Sequence, residues 1–151
     1  MDINNDISSI ISDALMDIIT IVSGFSLEVL SEERDDEFYD MTGVMIIYGD
    51  INGVFFVSAN EADMRLFCSY MTGVPIEDIK KEDYIDAMSE FANMTAGSAK
   101  LRLGNSEYIF TLSSPYILES KEMSISTKKK VSVLSTTFGK SDIKIKMKLV
   151  Y

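Results

Sequence analysis

The sequence predicts an α+β fold in which helices cover one face of an antiparallel sheet. Three observations carry this reading. Apolar residues recur at helical spacing over 3–23 and again over about 83–103. A glycine-flanked turn, Gly49-Asp50-Ile51-Asn52-Gly53, separates two β-rich runs. The last run, 143–150, alternates apolar and charged residues, as a half-exposed antiparallel strand does.

The elements follow in chain order. Ile3, Ile7, Ile10, Ile11, Ala14, Leu15, Ile18, Ile19 and Val22 form a helical stripe, and Gly24 is a natural stop. Residues 25–30 have the composition of a short strand. The carboxylate-rich stretch Glu32 to Asp40 reads as a solvated loop. Residues 44–48 and 54–58 are the paired β-rich runs. Asn60 resembles a helix N-cap, with Asp63 three residues on. That helix carries Met64, Phe67 and Met71 on one side, holds Cys68 as a small packed residue, and ends at Gly73. Val74-Pro75 breaks the chain before the third helix, which ends at Gly104. Strands are expected near 108–112, 116–118, 131–137 and 143–150, with Lys128 to Lys130 as a turn. In the last strand Ile143, Ile145, Met147 and Leu149 share one face. Lys144, Lys146 and Lys148 share the other, where they are expected to be solvated and to discourage edge pairing.

Composition excludes whole classes of chemistry. A chain of 151 residues with 46% hydrophobic residues suits one domain with a core of its own. The net charge of -10 and the lack of a basic stripe set nucleic acid aside and disfavour anionic membranes. No segment approaches the roughly 20 apolar residues of a membrane span. The N-terminus has no basic region before an apolar run, so it does not read as a secretory signal. Cys68, the single cysteine, cannot form an internal disulfide, and a reducing cytoplasm is the expected location. Without histidine, no Ser-His or Cys-His pair can form, and one cysteine cannot make a zinc site. There is no P-loop. Catalysis, if present, must use carboxylates, amides, hydroxyls or lysines.

The third helix holds the informative segment. At about 100° per residue, Asp86, Glu90, Asn93, Gly97 and Lys100 fall on one stripe roughly 80° wide. Most of the remaining circumference is apolar or small: Ile85, Ala87, Met88, Phe91, Ala92, Met94, Ala96, Ser98, Ala99 and Leu101. Spacing alone fits an ordinary solvated face. Spacing favours that reading; the particular residues favour a largely buried helix with one narrow polar strip, in which Glu90 and Asn93, one turn apart, point to the same place. Gly97 costs about 1 kcal/mol in a helix interior relative to alanine, and it would let a partner approach the strip closely.

Asp86, Glu90 and Asn93, with Pro115 downstream, resemble the signature of the CheC/CheX/FliY chemotaxis phosphatases. The continuation Asn93-Met-Thr-Ala-Gly97-Ser-Ala-Lys100 and the upstream hairpin and helix are also similar to that family. Pro115 sits a residue short of the usual spacing. The resemblance implies a CheC-like pseudo-symmetric domain of the CheX type, a homodimer, acting on a phosphorylated CheY-like response regulator. It implies Glu90 and Asn93 as catalytic residues and Asp86, Gly97 and Lys100 as partner-binding residues. It requires no metal or cofactor on this chain, because Mg2+ is expected on the regulator. In the implied mechanism Asn93 orients the attacking water, Glu90 pairs with the regulator's active-site lysine, and Asp86 supports docking.

An internal repeat supports the two-half architecture. Residues 13–24 align without gaps to residues 86–97, matching acid, alanine, apolar, acid and glycine positions. Asp17 and Thr20 stand where Glu90 and Asn93 stand in the second copy, so a single active site is expected. The competing reading, from another functional class, is a binding module that keeps the fold and docks a regulator or signalling partner without hydrolysis.

Overall fold

Two antiparallel hairpins form the middle of the sheet. The computed structural model describes residues 3–24, 28–32, 37–50, 52–104, 109–126, 133–140 and 143–150. In order the elements are α1 (Ile3–Ser23), β1 (Glu28–Glu32), β2 (Met41–Gly49), β3 (Gly53–Ala59), α2 (Glu61–Thr72), a 3-10 turn (Ile76–Asp78), α3 (Lys81–Leu103), β4 (Phe110–Leu112), β5 (Tyr116–Glu119), β6 (Val133–Lys140) and β7 (Ile143–Val150). The strand order is β1-β6-β7-β3-β2-β4, and β5 also pairs with β2. Every pairing is antiparallel. The α+β reading therefore holds, with α1 and β7 at the bounds the sequence indicates. Helix α3 starts slightly earlier than expected, at Lys81. The expected start of the strand at 25–30, Tyr108, and the turn at Lys128 to Lys130 lie outside the described residues.

Register decides which side chains make the core. Gly43 of β2 lies beside Val57 of β3, and Val57 beside Met147 of β7. On the same side are Met41, Met45, Phe55, Ala59, Ile145 and Leu149, all buried in one cluster with Ala14, Leu15 and Ile19 of α1 and Met88, Phe91 and Ala92 of α3. The period-2 pattern of the strands thus meets the 3.6-residue pattern of the helices across a single apolar layer. Gly43 brings α3 unusually near the sheet. A Cβ added there would stand 3.1 Å from the Ala92 Cβ and 3.6 Å from Met88.

The opposite sheet face departs from expectation. Lys144 is exposed, but Lys146 is only 8% exposed and Lys148 is fully buried. The cause lies in the acidic stretch, whose end is not a solvated loop. Phe38 is buried, with its ring 5.0 Å from that of Phe56. Lys148 Nζ donates to the Glu37 carbonyl and lies over the Phe38 ring. Lys146 Nζ lies 4.9 Å from the centroid of Tyr39. Long lysine stems cover apolar surface here while their tips find a carbonyl and aromatic faces. The segment is held further by Phe38 N donating to Met123 O and Tyr39 N donating to Ser58 Oγ. Residues 33–36 lie outside the described residues.

Helix entry also differs in detail. Asn60 occupies the N-cap position of α2, but its side chain makes no capping bond. Asp40 Oδ1 instead accepts from Glu61 N at 2.8 Å, capping the helix from a distant segment. The stop at Gly73 is as expected, with φ 73° and its N–H donating to Ser69 O.

Candidate functional site

Helix α3 is anchored at several levels. Asp83 Oδ2 accepts from Lys80 N at 2.8 Å, tightening the first turn. Tyr84 Oη donates to Glu61 Oε1 at 2.5 Å, joining α3 to the start of α2. Burial, followed by that bond to a carboxylate, pushes the Tyr84 phenol up to about 12. Phe91 packs edge-on against Phe67 at 5.0 Å, and the buried Thr95 hydroxyl donates to Phe91 O at 2.8 Å. Met88, Phe91 and Ala92 have no exposed surface. A helix gripped in this way presents its remaining ridge in a defined orientation.

On that ridge Asp86, Glu90, Asn93 and Lys100 are exposed, and Gly97 is half-buried. The structure therefore brings the five sequence-predicted residues to one solvent-facing strip. Among the described residues nothing outside the helix's own backbone lies within 4 Å of a would-be Cβ on Gly97, so the strip is open there. Charge runs along it in one direction. Asp86 and Glu90 lie toward the N-terminus and Lys100 in the last turn, the arrangement the helix dipole favours. Pro115 is half-buried in the interruption between β4 and β5. There Ser113 Oγ accepts from Ile46 N and Ser113 N donates to Ile46 O, bridging the gap in the edge strand.

The counterpart on α1 is engaged differently. Asp17 is ion-paired with Arg102 of α3, and the Thr20 hydroxyl donates to Met16 O at 2.9 Å. Cys68 is buried, and burial raises its thiol further from ionisation, as expected of a packed residue. Among the described residues no group of three or more acids or cysteines could hold a metal ion, and no helix is long and apolar enough to cross a membrane.

Two residues near the strip were not singled out by the sequence. Leu101, assigned there to the apolar circumference, is 81% exposed, and Ile109 is 80% exposed. Both line a shallow groove with Gly97, Lys100, Phe110 and Thr111, continuing the strip past its C-terminal end. The one available signal was angular: at about 100° per residue Leu101 falls roughly 60° from Asp86, just beyond the Glu90 side of the strip.

The chain is thus an α+β domain with an acid and a carboxamide one helical turn apart on an exposed ridge. The sequence model for "Chemotaxis phosphatase CheX" matches residues 41–139, and the chain belongs to that family. No curated protein sequence matches it. Among solved structures it is similar to a CheC-like superfamily protein from Shewanella sp. PV-4, with a TM-score of 0.85 and 20% identity over 99% of this chain and 98% of that one. It is similar to the chemotaxis protein CheX from Vibrio vulnificus, with a TM-score of 0.83 and 19% identity over 96% and 98%. A third is CheX in the CheX-CheY-BeF3-Mg2+ complex from Borrelia burgdorferi, with a TM-score of 0.80 and 15% identity over 94% and 95%. These likenesses establish the CheC-like fold.

Proposed function

We propose that this chain dephosphorylates the aspartyl phosphate of a CheY-like response regulator, with Glu90 and Asn93 as its catalytic pair. The observation that carries the reading is the exposure of these two side chains together on the solvent-facing ridge of a helix whose Met88, Phe91 and Ala92 are fully buried. Family membership supports the reaction class, and the Borrelia burgdorferi complex supports the class of partner. In this mechanism the regulator carries Mg2+ and the lysine that hold the phosphoryl group. Asn93 reaches beside that group, and its amide, both donor and acceptor, orients a water in line with the phosphorus. Water attacks phosphorus as the bond to the aspartyl oxygen breaks, releasing the regulator's carboxylate and inorganic phosphate. The contribution of Asn93 is positioning. Glu90 pairs with the regulator's lysine and sets register, while Asp86, Gly97 and Lys100 contact the partner. This chain supplies no metal or cofactor.

The reading includes a cytoplasmic homodimer built from two related halves, with one working strip per chain. A dimer is supported by Ile46, Tyr48, Tyr116 and Leu118, all exposed on the sheet face away from the helices. The alignment of residues 13–24 with 86–97, now seen as segments of α1 and α3, supports the two halves.

The test is decay of a Mg2+-bound, phosphorylated CheY-like regulator from the same cell, with wild type, Asn93→Ala and Glu90→Ala compared. Accelerated decay with wild type and none with Asn93→Ala is the expected result. Wild type that binds the regulator and leaves decay unchanged would establish a binding module instead.

A further inference from the structure

The groove beyond the strip is built by specific contacts. Gly49 has φ 139°, and a Cβ there would stand 2.5 Å from Ile109 O and 2.8 Å from Phe110 Cα. Only glycine admits the passing backbone at that point. Asp50 then grips Ile109 twice: Asp50 N donates to Ile109 O at 2.8 Å, and Ile109 N donates to Asp50 Oδ2 at 2.8 Å. The backbone of Ile109 is pinned while its side chain stands in solvent. Leu101, exposed in the last turn of α3, lines the same groove. Two such apolar side chains facing one groove are a costly arrangement for a surface that meets only water.

The occupant follows from continuity and charge. Gly97 and Lys100 belong both to the strip and to the groove, so a surface seated on Asn93 runs into the groove without a gap. The Lys100 ammonium lies 6.0 Å from the centroid of Phe110 and has no ion-pair partner among the described residues. The acids Asp86 and Glu90 lie at the far end of the strip. A complementary surface therefore presents cations to that end and, toward the groove, a carboxylate beside an apolar side chain. We infer that the Leu101–Ile109 groove is the specificity subsite for the phosphorylated response regulator, taking an apolar side chain flanked by a carboxylate that meets Lys100. The inference rests on the phosphatase reading and deepens it. Asn93 governs the chemical step, and the groove governs which regulator is held long enough for it.

The experiment uses the full chain with a CheY-like regulator from the same cell, phosphorylated by acetyl phosphate and Mg2+. Leu101→Ser, Ile109→Ser and the double variant are compared with Ile76→Ser, an exposed apolar residue of the 3-10 turn outside this groove. The expected result is a KM raised about fivefold to thirtyfold in the double variant, with kcat within about twofold and no change for Ile76→Ser. Lys100→Glu raises KM further and reverses its salt dependence. An unchanged KM in the double variant, with Asn93→Ala still inactive, overturns the subsite and leaves the phosphatase reading intact. Should wild type bind the regulator without hydrolysis, the dissociation constant of the beryllofluoride-activated regulator is the readout, and the same fold-change is expected. Absence of binding to any such regulator overturns both.

Discussion

Lys148 of β7 lies with its Nζ 4.2 Å from the centroid of the Phe38 ring, beneath a segment that precedes β2 by only a few residues. The residue is fully buried, and its Nζ also donates to the Glu37 carbonyl. Lys148→Ala removes stem, ring contact and hydrogen bond together, and is expected to cost about 2–4 kcal/mol in urea unfolding. Lys148→Met keeps the volume and should cost about 1 kcal/mol. Equal losses from the two variants would show that packing of the stem contributes little. Because this face lies across the sheet from α3, turnover per folded molecule should not change.

Gly43 sets the height of the strip above the sheet. Its missing Cβ would meet Ala92, whose neighbour is Asn93, at 3.1 Å. Met88 can adjust its flexible side chain, but Ala92 can yield only if the helix moves. Gly43→Val is expected to lower stability by about 1–3 kcal/mol and, under the proposed mechanism in which the Asn93 amide orients water, to lower kcat more than it raises KM. A kcat equal to wild type in the folded variant would place the strip outside the reaction.

Tyr84 gives a pH-dependent prediction. The folded protein favours the neutral phenol, which ionises near 12 in the native state, against about 10 when unfolded. Its stabilising contribution is therefore complete below pH 10 and is lost as pH rises from 10 to 12. Tyr84→Phe is expected to be less stable than wild type by about 1 kcal/mol at pH 7, and the gap should close across that alkaline window. Chemical denaturation at pH 7, 10 and 11.5 measures it.

The pair between Asp17 and Arg102 is partly solvent-exposed, so its contribution to stability is small. Asp17→Ala should cost under about 1 kcal/mol, and neither it nor Thr20→Ala should reduce phosphatase turnover. Loss of activity in Thr20→Ala, with the fold retained, would mean that the α1 copy takes part in the reaction.

How much of this was legible in the sequence depends on range. Helix α1 and strand β7 were readable to their ends because their periodicity is uninterrupted and local. The strip from Asp86 to Lys100 was readable for the same reason: a helix converts spacing into direction. What failed was assigning solvent to Lys146 and Lys148. Alternation states that two faces differ, not what covers each, and the cover here is Phe38 and Tyr39 from a stretch whose carboxylates suggested a loop. The cap of α2 was displaced likewise, since Asp40 reaches Glu61 across intervening chain. Ile109 owes its pinned backbone to Asp50, a pairing between a hairpin turn and a distant strand end that no local pattern encodes.

That last contact divides the molecule's evolutionary freedom into two parts. The turn at Gly49–Asp50 touches one wall of the groove through Ile109, whereas Asn93 is held by a helix rooted in the core. Lineages that lengthen or recharge the turn would alter the shape offered to partners while inheriting the same strip unchanged. Under the proposed function and the groove inferred above, duplicated copies of such a gene would acquire separate clients through changes in a few turn residues, with Glu90 and Asn93 left in place.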